Sequence, residues 1–200
     1  MEYINKINSQ LNSPHGMITS KYCDENNIPR VYLSRLVKKG EIKKVHDGIY
    51  ITQNGDFDLL YFLQQRNKKI IYSYYTALDL LGITNVISHK TEVTVYKGYK
   101  VRNDIADNIK IHYVKKEIHD LGVIDVETIF GNKVKTYCFE RVFCDFVLNR
   151  DKVDAEVFRK VVREYSEYEH QDIYLLNKIA TKMNILKKVS NILQIISNYE

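Results

Sequence analysis

The chain has 200 residues, with 30 Lys and Arg against 25 Asp and Glu, and 44% of it is hydrophobic. That is enough for a real core, in one large domain or two small ones. No apolar run approaches the roughly 18 residues that a membrane-spanning helix needs, and the opening MEYINKINSQ is polar, unlike a signal peptide, so a cytoplasmic protein is expected.

Residues 2–12 predict a first helix, with Tyr3, Ile4, Ile7 and Leu11 along one side. Ser13-Pro14-His15-Gly16 reads as a turn, after which Met17 and Ile18 enter the core. Thr19 or Ser20 then caps a second helix by accepting from its free backbone N–H groups. Asn26 and Asn27 suit the break that follows, and Pro29 suits the first turn of a third helix. Leu33, Leu36 and Val37 form its buried stripe. At roughly 100° per residue, Val31, Ser34, Arg35 and Lys38 fall on the opposite face. Gly40 supplies a left-handed stop, with Lys38 and Lys39 at the negative helix end. Residues 42–52 read as two strands around Asp47-Gly48, a strong hairpin signal.

Helix, turn, helix with a basic outer face, then hairpin, is the order of a winged helix-turn-helix. Charge agrees. From Arg30 to Val45, Arg30, Arg35, Lys38, Lys39, Lys43 and Lys44 stand against Glu41 alone, an excess equal to the +5 of the whole chain. Such a concentration attracts duplex DNA by releasing condensed counterions. Arg30, Ser34, Arg35, Lys38 and Lys39 are the expected major-groove and phosphate contacts, with Val31 against a thymine methyl. Lys43, Lys44 and His46 on the wing are expected to meet phosphate or the minor groove.

Asn54-Gly55 marks the expected boundary between a DNA-binding domain, 1–54, and a second domain, 55–200. FDLLYFLQQR (57–66) is an apolar helix. Ile70-Ile71-Tyr72 is a short buried strand, and Ser73 can cap the helix YYTALDLL that stops at Gly82. From there the period changes to two. TEVTVY turns at Lys97-Gly98, IKIHYV alternates again, and VIDVETIF joins KVKTYC through Gly131-Asn132. These predict half-buried antiparallel strands. From Phe139 onward the chain reads as helical, near 139–149, 154–168, 171–183 and 185–197. The expected class is α+β: a winged helix-turn-helix, an antiparallel sheet, then a helical region.

Enzyme and cofactor motifs are missing. No phosphate loop, HExxH or GxSxG occurs, and His15, His46, His89, His112, His119 and His170 show no metal-ligand spacing with one another or with Cys. Cys23, Cys138 and Cys144 lack CxxC spacing and read as buried, reduced thiols. Asp125 and Glu127 share one strand face, as exposed carboxylates routinely do. Arg163 and His170, placed on one predicted helix, resemble the Arg–spacer–His motif of HEPN-type ribonucleases, where His moves a proton and Arg stabilises phosphate charge. A catalytic site is not expected, nor a cofactor or metal.

GMITSKYCDENNIPRVYLSRLVKKGEIKKVHDGIYI resembles the N-terminal winged domain of AbiEi-type antitoxins, of abortive-infection, type IV toxin–antitoxin systems. The likeness continues through SHKTEVTVYKGYKV. It runs on through YCFERVFCDFV, similar to the family's Glu-Arg-x-x-x-Asp segment, and DIYLLNKIATKMNILKKVSNIL. Family members often carry Thr after Glu-Arg, where this chain has Val142. The resemblance implies repression of the chain's own operon, through an inverted repeat in its promoter. It also implies neutralisation of a nucleotidyltransferase toxin encoded beside it. Arg141 and Asp145 are four apart and can pair, and Glu140 suits a helix start, so this segment reads either as a structural lock or as part of the antitoxin surface. The alternatives are a stand-alone regulator whose second domain senses a ligand or partner, and a ribonuclease using Arg163 and His170.

Overall fold

A computed structural model describes residues 2–13, 16–55, 57–83, 90–101 and 109–197. Pro14 and His15 of the expected turn, and His89, lie outside the described residues. The chain is α+β and forms two compact units: residues 1–63 with 127–133, and residues 64–126 with 134–200.

In the first unit, α1 (Glu2–Leu11) buries Ile7 and Leu11. It is followed by β1 (Met17–Thr19), α2 (Ser20–Glu25), α3 (Val31–Lys38), β2 (Ile42–His46) and β3 (Ile49–Thr52). The strands form an antiparallel sheet in the order β1-β3-β2. Ile7, Leu11, Ile18, Cys23, Ile28, Leu33, Leu36 and Ile42 make the core.

Local chemistry sets the turns. Thr19 Oγ1 accepts from Tyr22 N at 3.0 Å and starts α2. Asn27 takes the left-handed conformation (φ 54°), which Asn tolerates better than most residues, so the chain can reverse before α3. Gly40 (φ 73°) ends α3, with Glu41 N donating to Leu36 O at 3.0 Å. In the second unit Gly122 (φ 78°) is demanded twice over, since a Cβ there would stand 2.8 Å from Arg141 Cβ.

After α4 (Leu59–Arg66) come β4 (Ile71–Tyr72), α5 (Tyr74–Leu80), β5 (Thr91–Tyr96), β6 (Ile109–Val114), a one-turn α6 (Lys116–His119), β7 (Val123–Glu127) and β8 (Lys133–Tyr137). The sheet order is β6-β5-β4-β8-β7. Two expectations fail here. The sheet is mixed, because β5–β6 and β4–β8 run parallel while β4–β5 is antiparallel. Alternation fixes which face a residue takes, not strand direction; residues 97–108 give a connection much longer than a hairpin loop, as a parallel neighbour requires. Nor is β5 half-buried: Glu92, Val93, Thr94 and Val95 are all buried, as suits a strand with neighbours on both sides.

Among the described residues four α-helices close the chain: α7 (Phe139–Leu148), α8 (Ala155–Ser166), α9 (Ile173–Lys182) and α10 (Leu186–Ser197). Their core is aromatic, with Phe143 stacked on Tyr165 at 4.3 Å and Phe139 edge-on to the same ring at 5.1 Å. Asp154 caps α8 by accepting from the N–H groups of Glu156 and Val157. Among the described residues, no helix is long and apolar enough to cross a membrane.

Candidate nucleic-acid interface

The α3 stripe is arranged as its spacing demands. Leu33 and Leu36 are buried, Val37 half-buried, and Val31, Ser34, Arg35 and Lys38 exposed. Burial of one stripe therefore fixes which four side chains face solvent. The Arg35 guanidinium lies over the Tyr32 ring, 5.5 Å from its centroid, and Tyr32 in turn packs on Tyr3 of α1 at 5.4 Å. Among the described residues no carboxylate pairs with Arg35, Lys38 or Lys43.

The other basic groups are each engaged. Arg30 is bonded through both Nε and Nη2 to the Asp24 carboxylate, with Nε to Oδ1 at 2.8 Å. That guanidinium holds the Asp24 carboxyl below its ordinary range. Lys39 lies 3.7 Å from Glu41, and Lys44 donates to Asp47 at 2.6 Å in the hairpin turn, which raises the Lys44 ammonium. His46 is half-buried, its ring 6.4 Å from that of buried Phe62, so it faces apolar surface more than a groove. Ser20 N donates to Gly48 O at 2.7 Å and anchors the hairpin turn to the start of α2.

Glu140, Arg141 and Asp145 are brought together, but inside the second unit. Arg141 is 0% exposed. Its Nε lies 3.2 Å from both Asp145 oxygens, Nη1 donates to the carbonyls of Ile118 (2.6 Å) and Leu121 (2.8 Å), and the guanidinium covers the Tyr137 ring at 4.2 Å. Burial pushes the Asp145 carboxyl up from its ordinary value, an effect the guanidinium opposes. Glu140 accepts from the backbone N–H of Asp172 at 3.1 Å and joins α7 to the start of α9. The segment locks helices to sheet, and a macromolecule has no surface of Arg141 to touch.

Arg163 and His170 do not share a helix. α8 ends at Ser166, and His170 sits in the turn beyond it, edge-on to Tyr168 at 5.8 Å. The helical phase on which the ribonuclease motif depends is therefore not formed. Asp125 and Glu127 are exposed, and Asp125 lies 3.9 Å from Lys135.

No family model matches the chain, and no curated protein matches it by sequence. The crystal structure of the RV2827C protein from Mycobacterium tuberculosis is similar over 97% of this chain and 81% of its own, with a TM-score of 0.52 and 8% identity. At that identity the likeness is one of fold alone, extending over nearly the whole α+β chain.

One polar cluster was not legible beforehand. Glu92 Oε2 lies 2.5 Å from His112 Nε2 and 3.2 Å from Lys110 Nζ. The three residues sit on β5 and β6, too far apart in sequence for spacing to reveal them. The available signal was Glu92 itself, a carboxylate inside a strand whose neighbours are β-branched.

Proposed function

We propose that this chain is a sequence-specific DNA-binding repressor, built on a winged helix-turn-helix in its first unit. The observation that carries the reading is the outward face of α3, where Val31, Ser34, Arg35 and Lys38 are exposed beside the β2–β3 hairpin and the two cations have no carboxylate partner among the described residues. A helix of this width enters the major groove, where an Arg can take guanine O6 and N7 together and an apolar side chain can meet a thymine methyl. Lys38, Lys43 and Lys44 supply phosphate contacts. Two copies on an inverted repeat present two such helices one DNA turn apart. The resemblance to AbiEi-type antitoxins adds a second role, neutralisation of a nucleotidyltransferase toxin from the adjacent gene.

Fluorescence anisotropy with the chain's own upstream DNA and with scrambled duplex, at several salt concentrations, tests the first role. A clear preference for the upstream sequence, with affinity falling steeply as salt rises, is expected. Equal binding to both duplexes, or affinity insensitive to salt, overturns it. Growth rescue on co-expression with the neighbouring toxin tests the second role independently.

A further inference from the structure

The second unit contains a cavity of about 450 Å³ beside the β5–β6 pair that the DNA reading leaves unused. Small-molecule sites have volumes of roughly 300–1,000 Å³. Its wall includes Tyr74, Tyr75, Lys110, His112, Asn149 and Lys152.

The wall is built around an oriented histidine. Parallel pairing sets Lys110 directly opposite Glu92, and His112 opposite Thr94. Glu92 is 2% exposed, and a carboxylate buried so deeply is costly unless polar partners answer it. His112 Nε2 and Lys110 Nζ do so, at 2.5 and 3.2 Å. The Tyr74 ring stacks on the imidazole at 4.0 Å, and its hydroxyl accepts from Asn149 Nδ2 at 2.7 Å. Tyr74 holds this position from a left-handed backbone (φ 49°), a strained conformation for a bulky side chain. Glu92 on one nitrogen and Tyr74 on the ring face leave Nδ1 as the polar atom that His112 can offer.

The charged groups of the wall are not equally engaged. Asp145 is held by Arg141, Asp154 accepts from the first N–H groups of α8, and Glu92 is taken by His112 and Lys110. Lys152 is exposed and has no carboxylate partner among the described residues. Asp145, Asp154 and Glu92 formally balance Arg141, Lys110 and Lys152, but each carboxylate is bonded within the fold while Lys152 has no carboxylate partner among the described residues, so the group left free at the wall suits an anion. Tyr75, Leu148 and Val153 give the remaining wall an apolar character.

We propose that this cavity binds a small organic anion, its phosphate or carboxylate group held by Lys152 and His112, its body against Tyr75, Leu148 and Val153. The site stands apart from the DNA-binding reading and does not depend on it.

Isothermal titration calorimetry on the full chain at low ionic strength tests this. The probes are inorganic phosphate, the four common nucleoside 5′-monophosphates, succinate, citrate, and the matching uncharged nucleosides. At least one anion should bind once per chain with a Kd below about 1 mM, and the nucleosides should not bind. Stronger binding by the monophosphates than by the di- and tricarboxylates, or the reverse, identifies the head group. Lys152→Glu and His112→Gln should each weaken binding by about tenfold or more, while Lys187→Glu on α10 leaves it unchanged. His112→Gln is read only if its melting curve matches wild type; Lys152→Glu, at an exposed position, decides the matter otherwise. Silence with every anion at about 5 mM, equal binding of the nucleosides, or an equal loss in Lys187→Glu overturns the proposal.

Discussion

Arg30 and Asp24 form a two-pronged ion pair that bridges α2 and the start of α3, on the surface proposed to meet DNA. The guanidinium is thereby engaged before any phosphate arrives. Asp24→Asn should release it and remove a negative charge from the same surface. The expected result is tighter binding to all duplexes and a salt dependence steeper by about one phosphate contact. Affinity titrations across a salt series check it, and an unchanged slope would mean that Arg30 lies off the DNA path.

Arg35 and Lys38 differ in what they are expected to do. Arg35→Ala should cost about 1–3 kcal/mol on the operator and relax preference at one base pair. Lys38→Ala should weaken operator and scrambled DNA alike. Competition binding with single-base operator variants separates the two. If both substitutions act uniformly on all sequences, Arg35 is a phosphate contact.

The Arg141–Asp145 pair is fully enclosed, so removing one partner strands the other. Arg141→Ala or Asp145→Ala should each destabilise the second unit by about 3–5 kcal/mol. Gly122→Ala should also destabilise it, because the new methyl meets Arg141. Urea unfolding monitored by far-ultraviolet dichroism provides the measurement. A stable Arg141→Ala protein that has lost toxin rescue would instead assign the segment to the antitoxin surface.

Several buried acids keep their protons in the fold. Burial pushes the Cys138 thiol up to about 12, and the Cys144 thiol and the Tyr74, Tyr137 and Tyr165 hydroxyls are raised likewise. The unfolded chain releases these protons first, so between the two values the native state binds more protons and stability falls as pH rises. The contribution is complete below about pH 9 and lost progressively above it, Cys138 alone accounting for about 2–3 kcal/mol by pH 11. Urea midpoints measured from pH 8 to 11 should fall accordingly. In the same vein, Cys23, Cys138 and Cys144 should resist a thiol reagent near pH 8 and all react once the chain is unfolded.

Periodicity made α3 and its exposed face legible, because one buried stripe leaves its complement no choice. Turn chemistry did as much for Asn27, Gly40 and Asp47-Gly48. What escaped depends on partners distant in sequence. β1 is three residues long, too short to show alternation, and becomes a strand only by pairing with β3. The direction of β6 relative to β5 is not encoded in either strand's pattern. Ser73 is expected to cap α5, yet its hydroxyl accepts from Thr94 on β5 and caps nothing. Glu92, Lys110 and His112 meet only once that parallel register exists. His170 was misplaced because α8 ends at Ser166, close to its expected end at 168, and His170 lies in the turn beyond it.

β1 also bears on how the hairpin behaves in the free protein. A lone two-stranded ribbon is marginal in water and samples many shapes. Here β3 is the middle strand of a sheet, paired along both edges, and the hairpin turn is tied to α2 through Ser20 and Gly48. The hairpin's conformational entropy is therefore surrendered during folding and not on binding, whatever partner it meets. A binding arm that arrives already shaped loses less on association. Its backbone amides should exchange with solvent as slowly as those of the surrounding core, even in the free protein.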